Sequence, residues 1–187
     1  MAEMHLVKPS RRYLPAYRAA LERGWSPDNV RLEAAAREHL AAIATDADAF
    51  LGRFEDREAR GPPVELPDGS RVSRLPGFGR WIWDGEFCGS IGFRWQKGTS
   101  ALPPHVLGHI GFAVVPWKRG RGLAAQALAA MLPLAKAEGL DRIEITTDPD
   151  NVASQRTILR CGGVLDGRFR QPEAFGGAES LRFRIDL

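Results

Sequence analysis

The stretch PWKRGRGLAAQALAAMLPLAKAEGL, residues 116–140, decides how this chain is read. The segment before it, HIGFAVV (109–115), alternates as a strand does and is closed by Pro116. Residues 121–138 have the spacing of a helix, with Pro133 inside it as an expected kink and Gly139 as its stop. Between strand and helix lie Lys118, Arg119, Gly120, Arg121 and Gly122. The first amides of a helix have no internal acceptor and carry the positive end of its dipole. Glycines remove the Cβ atoms that would hold a ligand off, and arginines add donors and charge. The pattern reads as an anion site fit for a phosphate or diphosphate. Two other readings compete. One is a glycine turn with solvated arginines. The other is the dinucleotide fingerprint G-x-G-x-x-A over Gly120–Ala125, with Glu144 about 20 residues on. That fingerprint belongs to the first strand of a large doubly wound sheet, whereas here it follows a hairpin and one βαβ unit exhausts the chain.

Working outward, residues 142–147 (RIEITT) read as the strand that completes this βαβ unit. Asn151–Cys161 reads as a helix stopped by Gly162-Gly163, and 164–169 and 181–185 as two final strands. Upstream, Arg80–Trp83 and Phe87–Trp95 flank Asp84-Gly85 and form a β-hairpin. Its tryptophans 81, 83 and 95 alternate and are expected in core and interfaces. Residues 96–108 are a loop. The N-terminal part reads as a short strand in MHLVKP, then helical spacing over 10–24 and 28–60, with Asp28 as a cap. Gly61-Pro62-Pro63 and Pro67-Asp68-Gly69 end it. The expected architecture is α/β (α+β): a mixed, mostly antiparallel sheet of about six to seven strands, one parallel βαβ unit, and helices on both faces. Residues 1–187 are expected to form one domain, with a helical part over 1–70 and the anion-binding core over 71–187.

The bulk numbers narrow the classes. The chain has 187 residues, a formal net charge of +3 and 44% hydrophobic residues, an ordinary globular composition. No basic stripe with interleaved aromatics argues for nucleic acid. No apolar run is long enough to span a bilayer or to make a signal peptide. Cys88 and Cys161 suit small buried thiols better than a disulfide framework or a metal site. No nucleic acid, membrane or metal is expected, and the cytoplasm is the default location.

Arg119-Gly120-Arg121-Gly122-Leu123-Ala124 matches R-x-x-G-x-A, and in this it resembles the acetyl-CoA signature of the GCN5-related N-acetyltransferase (GNAT) family. HIGFAVVP resembles that family's fourth strand, and DPDNVASQRTILRCGG its Asn-led helix. The resemblance spans the order of elements, although residues 1–70 carry no matching motif. It implies an acetyl-CoA-dependent acetyl transfer to a primary amine by direct attack in a ternary complex, with acetyl-CoA as co-substrate. It implies two strands that splay apart after a bulge in the first, so that Val114 and Val115 pair with the pantetheine arm. It places the pyrophosphate on the amides of Arg121, Gly122, Leu123 and Ala124, beside Gly120 and Arg119. It assigns Asn151 to the pantetheine, with Ser154 and Arg156 in reach of the cofactor. The alternative of another class is a non-catalytic CoA-binding or regulatory module, which the next residue favours. Where many members carry a tyrosine on the Asn-led helix, this chain has Ile158, so the usual general acid is missing. His109 is the candidate base, the other reading of it being a histidine bonded within the sheet. His105 could gate a substrate, and Glu144, Asp148 and Asp150 could hold a cationic one or be solvated. The acceptor, a small-molecule or peptide amine, is not specified by the sequence. Exposed C-terminal strands leave room for a homodimer.

Overall fold

The computed structural model describes residues 3–66 and 68–187; Pro67, the first residue of one expected turn, lies outside the described residues. The chain opens with His5–Val7 (β1) and Leu14–Glu22 (α1), where Pro15 occupies the first turn and loses no helical bond. The long run expected as helix over 28–60 divides into Leu32–Thr45 (α2) and Ala47–Gly52 (α3). Asp46 makes the break. It is extended (φ −156°, ψ 100°), and its carboxylate accepts from the amides of Asp48 and Ala49 at 3.0 Å, capping α3. Asp28 caps a preceding turn rather than α2 itself, accepting from the amides of Val30 at 2.8 Å and Arg31 at 2.9 Å. Three strands of two residues follow: Glu55–Asp56 (β2), Val64–Glu65 (β3) and Arg71–Val72 (β4).

The aromatic hairpin is Gly77–Trp83 (β5) and Phe87–Arg94 (β6), followed after a loop by Ile110–Val114 (β7). A single 3-10 turn, Pro116–Lys118, leads toward Leu123–Ala137 (α4), which contains Pro133. Then come Arg142–Thr147 (β8), Val152–Arg160 (α5), Val164–Arg170 (β9) and Glu179–Asp186 (β10).

The fold class is as expected, mixed α/β with antiparallel pairing and helices on both faces, but the expected continuous sheet is two. Strands β1, β5, β6 and β7 lie side by side, with β2 adding to the same edge of β5 as β1. Strands β8, β10 and β9 form a separate three-stranded antiparallel sheet, and β3 pairs with β4 alone. Period-2 alternation sets what each face buries. On one face Ile82, Ile91, Ile143, Ile145 and Phe183 pack against Leu128 and Met131 of α4 and Ile158 of α5. On the other, Trp81 and Phe87 pack against α1 and α3, with Tyr17 stacked on Trp81 at 4.5 Å and 11°. Trp81 and Trp95 are buried, and Trp83 is half-buried against Tyr13.

Candidate active site

The two sheets meet at His109, and the geometry there explains why they part. The backbone N–H of His109 donates to the carbonyl of Glu144 in β8 at 2.8 Å, while its carbonyl accepts from Arg94 N–H of β6 at 2.9 Å. One residue thus faces both sheets. Its imidazole Nδ1 accepts the Glu144 N–H at 2.9 Å, taking the place of a ladder carbonyl. Beyond His109, β7 pairs only with β6, and β8 only with β10, so a V-shaped gap opens. Gly108 sits in the apex, where a Cβ would come 3.2 Å from the Glu144 carbonyl and 3.3 Å from the Thr146 amide.

This geometry favours the second reading of His109, a histidine bonded within the sheet, over the reading as a base. Its Nδ1 lone pair is occupied by an N–H, so the neutral ring carries its proton on Nε2. The residue is fully buried and Nε2 meets no partner among the described residues. Burial lowers its pKa to about 4, outweighing the bond to Glu144, and the charges of Arg94 and Arg142 lower it further. No lone pair is left to receive a substrate proton. His109 holds the strands.

The edges of the gap follow from register. Strands β6 and β7 keep one register from Phe93–Ile110 to Gly89–Val114, without the bulge that the resemblance implies. Arg94 N–H bonds to His109 and Val115 N–H to Cys88 O at 2.9 Å, so 109, 111, 113 and 115 face β6. Residues 110, 112 and 114 therefore turn their backbone to the gap. Val115 does not turn its backbone to the gap: its amide bonds to the Cys88 carbonyl and its carbonyl accepts from Lys118 N–H at 3.0 Å. Phe112 takes its place beside Val114. The Val114 carbonyl already accepts from Arg119 Nε at 3.2 Å, so Arg119 folds back on the strand.

Past this point the turn opens. Gly120 (φ +76°) and Gly122 (φ +74°) both take the left-handed conformation, and Gly122 is the N-cap of α4 without a side chain to cap it. Consequently the amides of Gly120, Arg121, Gly122, Leu123, Ala124 and Ala125 find no acceptor among the described residues. Four of these residues, Gly120, Arg121, Gly122 and Ala125, line a cavity of about 490 Å³ together with Gln126 and Ala129 of α4 and with Arg160 and Cys161 at the end of α5. A Cβ on Gly120 would meet nothing within 4 Å, so the space above the turn is open. Arg160 and Cys161 were missed by sequence reasoning. Arg156, which it did name, lies one turn before Arg160 on the same helical face, but neither it nor Ser154 borders this cavity. Asn151 is the N-cap of α5, its Oδ1 accepting from Ser154 N–H at 3.1 Å. Ile158 is fully buried between α5 and the sheet.

Lys118, one of the three bases of the turn, is buried instead of solvated. Its Nζ donates to Asp84 at 2.5 Å and lies 3.1 Å from Glu86, both in the β5–β6 turn, and 3.6 Å from Cys88 Sγ. Burial pushes the Cys88 thiol up to about 11, so it stays protonated. This buried pair ties the start of the anion turn to the hairpin. Asp148 and Asp150 lie in the turn before α5, the Asp148 carbonyl accepting from Asn151 N–H at 3.0 Å.

A family model described as an acetyltransferase (GNAT) domain matches residues 29–164, more than half of the chain. No curated protein sequence is matched. Among solved structures, the chain resembles RimL, the ribosomal L7/L12 alpha-N-protein acetyltransferase in its complex with coenzyme A, with TM-score 0.62 and 16% identity over 100% of this chain and 96% of that one. An acetyltransferase (GNAT family) from Bacillus anthracis gives TM-score 0.61 and 18% identity, covering 100% and 96%. The microcin C7 self-immunity acetyltransferase MccE, in complex with acetyl-CoA and AMP, gives 0.58 and 13%, covering 99% and 93%.

Proposed function

The chain belongs to the GNAT acetyltransferase family, and from that premise we propose that it moves an acetyl group from acetyl-CoA to a primary amine by direct attack in a ternary complex. The observation that carries the reading is the run of amides from Gly120 to Ala125, without acceptors among the described residues, beside an open cavity that Gly120, Arg121, Gly122 and Ala125 line. A diphosphate fits that donor set: successive N–H groups at a helix N-terminus, no Cβ at Gly120 or Gly122, and the charges of Arg121 and Arg160 beside them. Arg121, Gly122, Leu123 and Ala124 would hold it, with Arg119 supporting the strand edge. Phe112 and Val114 would offer backbone groups to a pantetheine arm in the gap, as an added strand does. Asn151 keeps its amide Nδ2 for the same arm while Oδ1 caps α5.

Acyl transfer needs the amine neutral, close and aligned. The nitrogen lone pair bonds to the thioester carbonyl carbon, the C–S bond breaks with its electron pair on sulfur, and the amine loses a proton. His109 serves as a positioning residue that fixes the apex of the gap. With Ile158 buried where many members have a tyrosine, the thiolate leaves without a phenol from α5.

We read residues 1–187 as one N-acetyltransferase domain. In support, β1 pairs with β5 in the sheet that carries β7, and Arg57 forms an ion pair with Glu138 at the end of α4. The helices of residues 1–70 lie on the face opposite α4 and α5, and we take that face as the acceptor side. Among the described residues no helix is long and apolar enough to cross a membrane. The test is thiol release from acetyl-CoA over a panel of small amines and peptide N-termini. Release that requires an amine supports the reading. Binding of CoA with no turnover on any amine replaces it with the non-catalytic module.

A further inference from the structure

A second cavity, of about 400 Å³, is bounded by residues of the loop before Gly108 and by side chains of β8, β9 and β10. On β8 and β10 the residues Ile143, Ile145 and Phe183 face α4 and α5, so Glu144 and Arg182 project from the opposite face. Both line this cavity, with Leu102, Leu107, Phe169 and Arg170. Glu144 is also the residue whose backbone His109 grips, so the cavity begins at the closed end of the gap.

The charges in it are arranged for a ligand. Arg182 is laid flat on Phe169, its guanidinium carbon 4.4 Å from the ring centroid. Its Nε is buried and makes no hydrogen bond among the described residues, although Glu144 Oε2 lies 3.5 Å away. A guanidinium fixed by stacking, with donors unspent, suits a carboxylate, which it can take in two parallel bonds. Glu144 beside it suits an ammonium. A cation and an anion held side by side are matched by a molecule whose own two charges are adjacent. Exchange of one pair for the other leaves each charge with a partner. Arg170 adds a second cation to the lining, and Leu102, Leu107 and the free part of Phe169 give it an apolar side.

We infer that this cavity is the acceptor site and that the acceptor is a free α-amino acid, or a small molecule with the same α-amino carboxylate, bearing an apolar side chain. The inference rests on the acetyltransferase reading above. The α-ammonium pairs with Glu144, the carboxylate with Arg182, and the side chain covers Leu102, Leu107 and Phe169. Glu144 takes one proton from the ammonium. The freed lone pair then attacks the thioester carbon, the sulfur leaves with its electron pair, and the second N–H proton ends on that sulfur. The products are the N-acetylamino acid and free CoA thiol.

The test is kcat/KM for phenylalanine, phenylalaninamide and phenethylamine, with CoA binding measured in parallel. The acid should exceed the amide and the amine by about tenfold or more, the worth of one charge-assisted contact. Arg182→Gln should collapse that ratio toward one, with Arg182→Lys keeping part of it. Glu144→Gln should lower kcat on all three. Melting curves separate these effects from misfolding, and the wild-type ratio needs no variant. Equal use of acid and amide, or a ratio that survives Arg182→Gln, overturns the inference while leaving acetyl transfer intact. Failure to bind CoA overturns the functional reading instead.

Discussion

His109 shows how one side chain can decide the shape of a site. Its ring replaces a ladder acceptor for Glu144 N–H, so the two sheets stay joined at one residue and separate beyond it. The price is a neutral histidine in the core, and that has a pH signature. The folded pKa of about 4 lies below the ordinary 6.5, so the unfolded chain protonates first as pH falls. The contribution is complete above pH 6.5 and is lost between 6.5 and 4, amounting to about 3 kcal/mol in all. His109→Asn keeps an acceptor at the δ position and cannot titrate. Urea denaturation at pH 7.5 and pH 5 should show a smaller loss of stability for this variant than for wild type. The variant should also leave the shape of the pH–rate profile as it is in wild type; a changed profile would return His109 to the role of base. The sequence supplied the residue but not its state, because HIGFAVV says that a histidine starts a strand and not where its Nδ1 points. The facing of Val115 was hidden for a related reason. Which alternate residues face the gap depends on the register with β6, and a single strand's sequence does not contain it.

At the scale of elements, the loop from Pro116 to Gly122 is held at one end and open at the other. The held end is Lys118, whose pair with Asp84 is mostly buried, at 7% and 18% side-chain exposure. Lys118→Met leaves the carboxylate of Asp84 without its partner and should cost about 3 kcal/mol or more. Adding Asp84→Asn should recover part of that loss, since no buried charge is then left alone. A double-mutant cycle by chemical denaturation measures both, and additive losses would show that the pair is not coupled. The open end was legible in the sequence, because helix start, glycine and arginine are all local signals. So were β5, β6, β8 and α5, whose periodic runs are long enough to count. The three strands of two residues were not, since two residues carry no period. The α2–α3 break was hidden in an alanine-rich run by the single cap Asp46. Arg160 and Cys161 reach the cavity only because α5 packs along α4, which is tertiary information.

For the whole molecule, the two sheets share, among the described residues, one backbone–backbone hydrogen bond at the apex and separate on the gap side, so a ligand lying in the gap would bridge them. Coenzyme A that binds the folded chain and not the unfolded one should raise its stability by about 2.7 kcal/mol at a hundred times its dissociation constant. For a chain of this size that is a rise of about 5–10 °C in Tm, readable by thermal shift. The division into sheets was not legible, because alternation identifies strands but not where pairing stops. The opposed faces were, since apolar and charged residues alternate through RIEITT. The claim on which all of this depends is that the amides from Gly120 to Ala125 hold a diphosphate. Calorimetric titration of CoA and of pantetheine, which lacks the diphosphate, into the same wild-type protein tests it. The account predicts a saturable heat with CoA and binding weaker by about tenfold or more with pantetheine. No heat with CoA, or equal affinity for the two, would contradict it.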